Sequence, residues 1–103
     1  MGYMVHHAII VTSWDRDALE AAHRIAVRIA CCLVSDICEG VTNGEDSFFV
    51  APDGSKEGWN ESKQGDVARD EIITWLAKDC RLCWAEVQYG DDNGDNRITR
   101  SSS

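Results

Sequence analysis

Residues 4–12 (Met-Val-His-His-Ala-Ile-Ile-Val-Thr) form a short run dominated by apolar and β-branched side chains, which predicts a buried strand. In a strand, Val5, His7, Ile9 and Val11 share one face and His6, Ala8, Ile10 and Thr12 the other. Both faces are largely apolar, so the strand is expected at the centre of a sheet. The period then changes. Leu19, Ala22, Ala26, Ile29 and Leu33 recur at helical spacing, while Arg16, Glu20, Arg24 and Arg28 fall on other faces. With Ser13, Asp15 and Asp17 as cap and first-turn residues, this predicts a helix over 14–31.

Residues 33–41 and 47–51 read as two strands joined across Thr42-Asn43-Gly44-Glu45, because Asn-Gly suits the two positive φ angles of a type I′ turn. Ser47-Phe48-Phe49-Val50-Ala51 is apolar on both faces and is expected to be central too. Pro52-Asp53-Gly54-Ser55 reads as a turn, followed by an irregular stretch through Gly65. Asp66 reads as the cap of a second helix over 67–78, with Val67, Ala68, Ile72, Trp75 and Leu76 toward the core. Residues 83–90 alternate as a strand, with Ala85, Val87 and Tyr89 assigned inward and Trp84, Glu86 and Gln88 to the opposite face. The acidic and Ser-rich residues 91–103 read as a flexible tail behind a single domain of residues 1–90.

Strand, helix, strand, strand, helix, strand is the split β-α-β order. It predicts an α+β, ferredoxin-like sandwich: an antiparallel sheet with two helices on one face. The other face is open or covered by a second copy. His6, Ile10, Phe48 or Phe49 and Trp84 would make it partly apolar, which predicts a homodimer or higher homo-oligomer.

Length and composition agree with one globular domain: 103 residues, 44% of them hydrophobic. The net charge of −8 argues against direct binding to nucleic acid or to an anionic membrane, since both need a basic surface. No stretch reaches the roughly 20 apolar residues of a membrane span. An acidic surface suits solubility, a basic protein partner or mimicry of nucleic acid. The N-terminal run lacks the basic segment and the length of a secretion signal, and the five cysteines are an odd number. Together these predict a cytoplasmic chain with free thiols.

The candidate chemistry centres on the polar stretch from Pro52 to Asp66, which is long for a loop without secondary structure. Gly54, Ser55 and Lys56 offer backbone amides, a hydroxyl and a cation to a phosphate, and Trp59 can stack on a base. His6, His7 and Arg97 are secondary candidate contacts. The alternative is a structural Ω-loop pinned by Trp59. No metal or cofactor is expected, because His6, His7 and His23 have no further ligands at a recognisable spacing, and one packed and one hydrogen-bonded histidine is the simpler reading of the His6-His7 pair. Cys80-Arg81-Leu82-Cys83 closes a helix and opens a strand, the reverse of a thioredoxin-type site, and the cysteines are expected as small buried hydrophobes. Asp53, Glu57, Glu61 and Asp66 are not paired with a nucleophile, so no catalytic residue is assigned and the reading leans away from an enzyme.

Three blocks carry a resemblance: Val5 to Asp15, Ser47 to Trp59 (Ser-Phe-Phe-Val-Ala-Pro-Asp-Gly-Ser-Lys-Glu-Gly-Trp) and Trp84 to Asp92. They resemble a group of small, mostly uncharacterised accessory proteins of tailed bacteriophages. The middle block is the most specific, and the cysteines lie outside the pattern. The resemblance implies a phage source, a location in the host bacterial cytoplasm and, for accessory proteins of this size, a counter-defence role. The role expected is a homo-oligomer that binds and sequesters a phosphate-containing, nucleotide-type signalling molecule without cleaving it. One alternative is an acidic inhibitor that mimics nucleic acid against a host defence complex. Another is a small nucleotide hydrolase using His6 or His7 with a loop carboxylate.

Overall fold

A computed structural model of the protein describes residues 4–91 and 94–103. Strand β1 (His6–Ser13) lies between β2 (Asp46–Val50) and β3 (Cys83–Tyr89), and β4 (Arg97–Ser101) extends the sheet beyond β3. The order is β2-β1-β3-β4 and every pairing is antiparallel. Helices α1 (Arg16–Ala30) and α2 (Asn60–Leu76) cover one face. Ile9 and Val11 of β1, Phe48 and Val50 of β2 and Trp84 of β3 meet Ala18, Leu19, Ala22 and Ala26 of α1 and Ile72, Ile73 and Leu76 of α2 in one core. The predicted central position of β1 and its two faces are as observed. Helix α1 starts two residues later than predicted, with Asp15 as its cap: the side chain accepts from the Ala18 amide at 3.1 Å.

The second predicted strand, 33–41, is eroded. A short 3₁₀ turn (Cys31–Leu33) is followed by isolated bridges from Val34 to Val50 and from Cys38 to Ser47. The Ser35 hydroxyl takes the Phe49 amide at 2.9 Å, so a side chain replaces part of the backbone ladder. The two bridges still hold 34–38 beside β2, where the ferredoxin-like order places a second strand. The fold is thus an α+β sandwich of ferredoxin-like type with that strand reduced and β4 added at the other edge. Asn43 and Gly44 take φ of 60° and 65°, the two positive values that the Asn-Gly pair predicts.

Four expectations need correction. Helix α2 begins at Asn60, not after Asp66, so half of the expected loop is helical. Gly65 read as a breaker, but a Cβ there would lie 2.8 Å from Asp53 Oδ2; the glycine lets the preceding loop close on the helix. The phase of α2 differs accordingly: Ser62, Ile72, Ile73 and Leu76 are buried, while Val67 and Trp75 are exposed.

The faces of β3 are also exchanged. Trp84 and Glu86 point to the helices, and Ala85, Val87 and Tyr89 share the open face with Ala8 and Ile10. Glu86 can be buried because it is fully paired. Arg100 donates to its two oxygens at 2.8 and 2.9 Å, Thr99 donates at 2.7 Å, and Arg69 lies 3.3 Å away. Burial pushes the Glu86 carboxyl up, but these hydrogen bonds and cations outweigh it and hold it below its ordinary range.

The same network corrects the tail. Residues 97–101 are strand β4, anchored by Arg100 on Glu86 and on Asp70 at 2.6 Å, and Ser102 exchanges hydrogen bonds with the Trp84 backbone. Asp92 and Asn93, part of the expected tail, lie outside the described residues. Finally, Cys80 and Cys83 are exposed rather than buried hydrophobes, and Cys31, Cys32 and Cys38 are exposed free cysteines as well. They sit at helix ends, on the eroded strand and at the start of β3, where the helix layer does not reach.

Candidate functional site

The chain from Pro52 to Trp59 connects β2 to α2 and is pinned at several points. Asp53 Oδ1 accepts from the Ser55 amide at 2.8 Å and the Ser55 hydroxyl at 2.6 Å. Lys56 forms an antiparallel bridge with Met4, just ahead of β1. Glu57 accepts at one oxygen from Ser62 Oγ, 3.4 Å away, and its other oxygen lies 2.9 Å from His7 Nε2. A nucleophilic triad needs the imidazole between hydroxyl and carboxylate. Here the carboxylate stands between them, so the cluster is not such a triad; it ties the loop to β1 and α2 and sets His7 against a loop carboxylate. Glu57 was among the loop carboxylates read from the sequence, but its pairing with the distant His7 and with Ser62 had no signal there.

A concavity of about 510 Å³ opens between this loop, the first turns of α2 and the end of α1. Asp53, Gly54, Ser55 and Trp59 line it from the loop, Glu61, Gln64, Gly65 and Ala68 from α2, and Ile29, Ala30 and Leu33 from the α1 side. Its apolar α1 side faces the polar side chains of Asp53, Ser55, Glu61 and Gln64. The Lys56 ammonium lies 6.0 Å from the centre of the Trp59 ring. Trp59 is the N-cap residue of α2 and makes no side-chain cap hydrogen bond, while the Glu61 carboxylate in the first turn offsets the positive end of the helix dipole. Asp53 bears the opposite sign. Burial pushes its carboxyl up, but hydrogen bonds from the Ser55 hydroxyl and amide, with the nearby Arg69 charge, hold it below the ordinary range. Both Ser55 donors are therefore engaged by Asp53.

The other candidates are spread over the molecule. His7 is held by Glu57 behind the loop. His6 packs on the Tyr89 ring at 5.3 Å between centroids, with Nδ1 buried and without a hydrogen-bond partner. Arg97 is two strands from β1, paired across β3 through Gln88, with Asp95 4.0 Å away. None of Lys56, His6, His7 and Arg97 lines the concavity. The residues that the sequence reading missed as liners are Glu61 and Gln64, hidden because 60–65 read as loop. Among the described residues no group of three or more His, Cys, Asp or Glu side chains is placed to hold a metal ion, and no helix is long and apolar enough to cross a membrane.

Comparison with protein-family models, with curated proteins and with solved structures yields no match. The reading of the site therefore rests on its own geometry.

Proposed function

We propose that the protein binds a phosphate-containing, nucleotide-type molecule at the α2 end of the loop and holds it without chemistry. The observation that carries this reading is the convergence of Gly54, Ser55 and Trp59 on one concavity, with Lys56 beside the Trp59 ring. The base end lies against Trp59 inside. The phosphate end lies outside, toward Lys56 and the uncapped amides of α2, because Asp53 and Glu61 repel an anion from the interior. In a phage accessory protein, such binding would withdraw a defence signal from its receptor.

We extend the proposal to a homo-oligomer. Ile10, Phe49, Tyr89 and Ile98 are exposed on the open sheet face, where Ala8, Ile10, Phe49, Val87 and Tyr89 border a groove of about 480 Å³. In a chain of net charge −8, a face with so little charge is where two copies approach with least repulsion.

Calorimetry against cyclic dinucleotides and ADP-ribose-type signals tests the binding. One class is expected to bind and to be recovered intact after denaturation, and Trp59→Ala to weaken it about tenfold, the scale of one base–aromatic stack. Absence of heat with every member of both classes sinks the proposal, and recovery of an altered ligand replaces it with a hydrolase.

A further inference from the structure

The turn between α2 and β3 carries the cysteine pair that reads in the sequence as buried hydrophobes. Cys80 and Cys83 are instead exposed free thiols, and both line one concavity of about 520 Å³ together with Ser101, Ser102 and Ser103. The two residues between them are held in place. Leu82 is buried, and its amide donates to the Asp79 carbonyl at 3.1 Å. Arg81 donates to Asp79 at 2.9 and 2.8 Å and to Asp15 at 3.0 Å, and its carbonyl accepts from the Ser13 hydroxyl at 2.8 Å. The two thiols thus flank a short, fixed turn, which leaves little backbone entropy to lose when they meet. The other cysteines are out of reach. Asp15, bonded to Arg81, caps the start of α1, and Cys31 and Cys32 follow the far end of that helix, 15 residues and roughly 22 Å on. Cys38 lies across the sheet: Cys83 pairs with Thr12, Thr12 with Ser47 and Ser47 with Cys38, three strand spacings or roughly 14 Å. A disulfide needs Cα atoms within about 7 Å of each other. Of the five cysteines, Cys83 is therefore the partner for Cys80.

We propose that Cys80 and Cys83 form a reversible dithiol–disulfide site that exchanges with small disulfides of the glutathione type. One cysteine thiolate attacks the small disulfide, which forms a mixed disulfide and releases one thiol. The other cysteine then attacks the protein sulfur of the mixed disulfide, closing the Cys80–Cys83 bridge and releasing the second thiol. Two protons and two electrons leave the protein, and the small disulfide is reduced to two thiols. The pair follows the end of α2 instead of opening a helix, so it lacks the helix N-terminus that activates a catalytic thiol, and it fits a site that is itself oxidised and reduced. It lies at the opposite end of α1 from the concavity beside Trp59 and does not depend on the binding reading.

The test equilibrates the full chain with oxidised glutathione in the absence of denaturant, blocks the remaining thiols and maps the tryptic peptides by mass. Cleavage after Arg81 separates the two cysteines, so a bridge between them appears as two peptides joined. The expected result is the loss of two of the five thiols and of about 2 Da, a join at Cys80–Cys83, and return of both thiols with dithiothreitol. Cys83→Ser should stop at the mixed disulfide, with glutathione retained on Cys80. Five thiols remaining, glutathione held on wild-type Cys80 or Cys83 in place of a bridge, or a bridge that joins other cysteines overturns the proposal. So does a Cys80–Cys83 bridge that forms equally fast in denaturant, because the folded turn then contributes nothing to the pairing.

Discussion

Glu86 is the residue whose position departs most from a simple reading of polarity, and its partners explain why. Its side chain lies beneath α2 with Arg100, Thr99 and Arg69 around it, and Arg69 in turn reaches Asp66. Removing the carboxylate leaves two guanidinium groups with reduced compensation, one of them almost fully buried. Glu86→Ala should therefore destabilise the protein by about 3 kcal/mol, the lower end for breaking a buried ion pair, since Arg100 retains contact with water. Chemical denaturation of the two proteins checks this. A loss below about 1 kcal/mol would show that the network contributes no more than surface pairs do. At this scale the sequence was least legible. An alternating strand shows which residues share a face but not which face is inside. Trp84 and Glu86 went to the wrong side because a glutamate is normally placed in water. The compensating Arg100 lay in residues read as tail.

Among the elements, β4 depends on this ionic attachment more than on apolar burial, since all five of its residues are exposed. The sign of its pH response follows. The folded carboxyl of Glu86 is held below its ordinary value of 4.5, so its stabilising contribution is present above that pH and is lost as pH falls through the folded value. Asp46, held down by the Gly40 amide and by Arg16, and Asp79, held down by Arg81, act in the same direction from an ordinary value of 3.8. Lowering the pH below 4.5 should therefore reduce hydrogen-exchange protection in β4 before it does so in β1. Simultaneous loss in both strands would mean that β4 is held by its backbone pairing alone. Elements with a strong apolar period, β1 and α1, were legible in the sequence. Elements made by a few specific contacts were not: 34–38 was overestimated because Ser35 diverts the ladder, and α2 was shortened because Gly65 and Asp66 resemble a boundary. The concavity was legible from its loop side, Gly54, Ser55 and Trp59, and hidden on its helix side.

For the molecule as a whole, one sheet face carries the helices and the other carries Ile10, Phe49, Tyr89 and Ile98 in contact with solvent. If two copies bury that face, wild-type protein should elute with the light-scattering mass of a dimer, and Phe49→Asp should convert it to the 11.4 kDa monomer without loss of helix signal. A monomeric wild type at high micromolar concentration would remove the oligomer from the proposal and leave the binding site untouched. The sheet order has a further consequence for how the chain is made. Strand β1 leaves the ribosome well before β3, yet it pairs with it from His6 with Tyr89 through Thr12 with Cys83. The centre of the sheet can close only once β3 has been synthesised, and its closure must overcome the entropy of a long loop. Closure of the sheet centre is then expected to wait for β3, with the apolar face of β1 exposed for the interval.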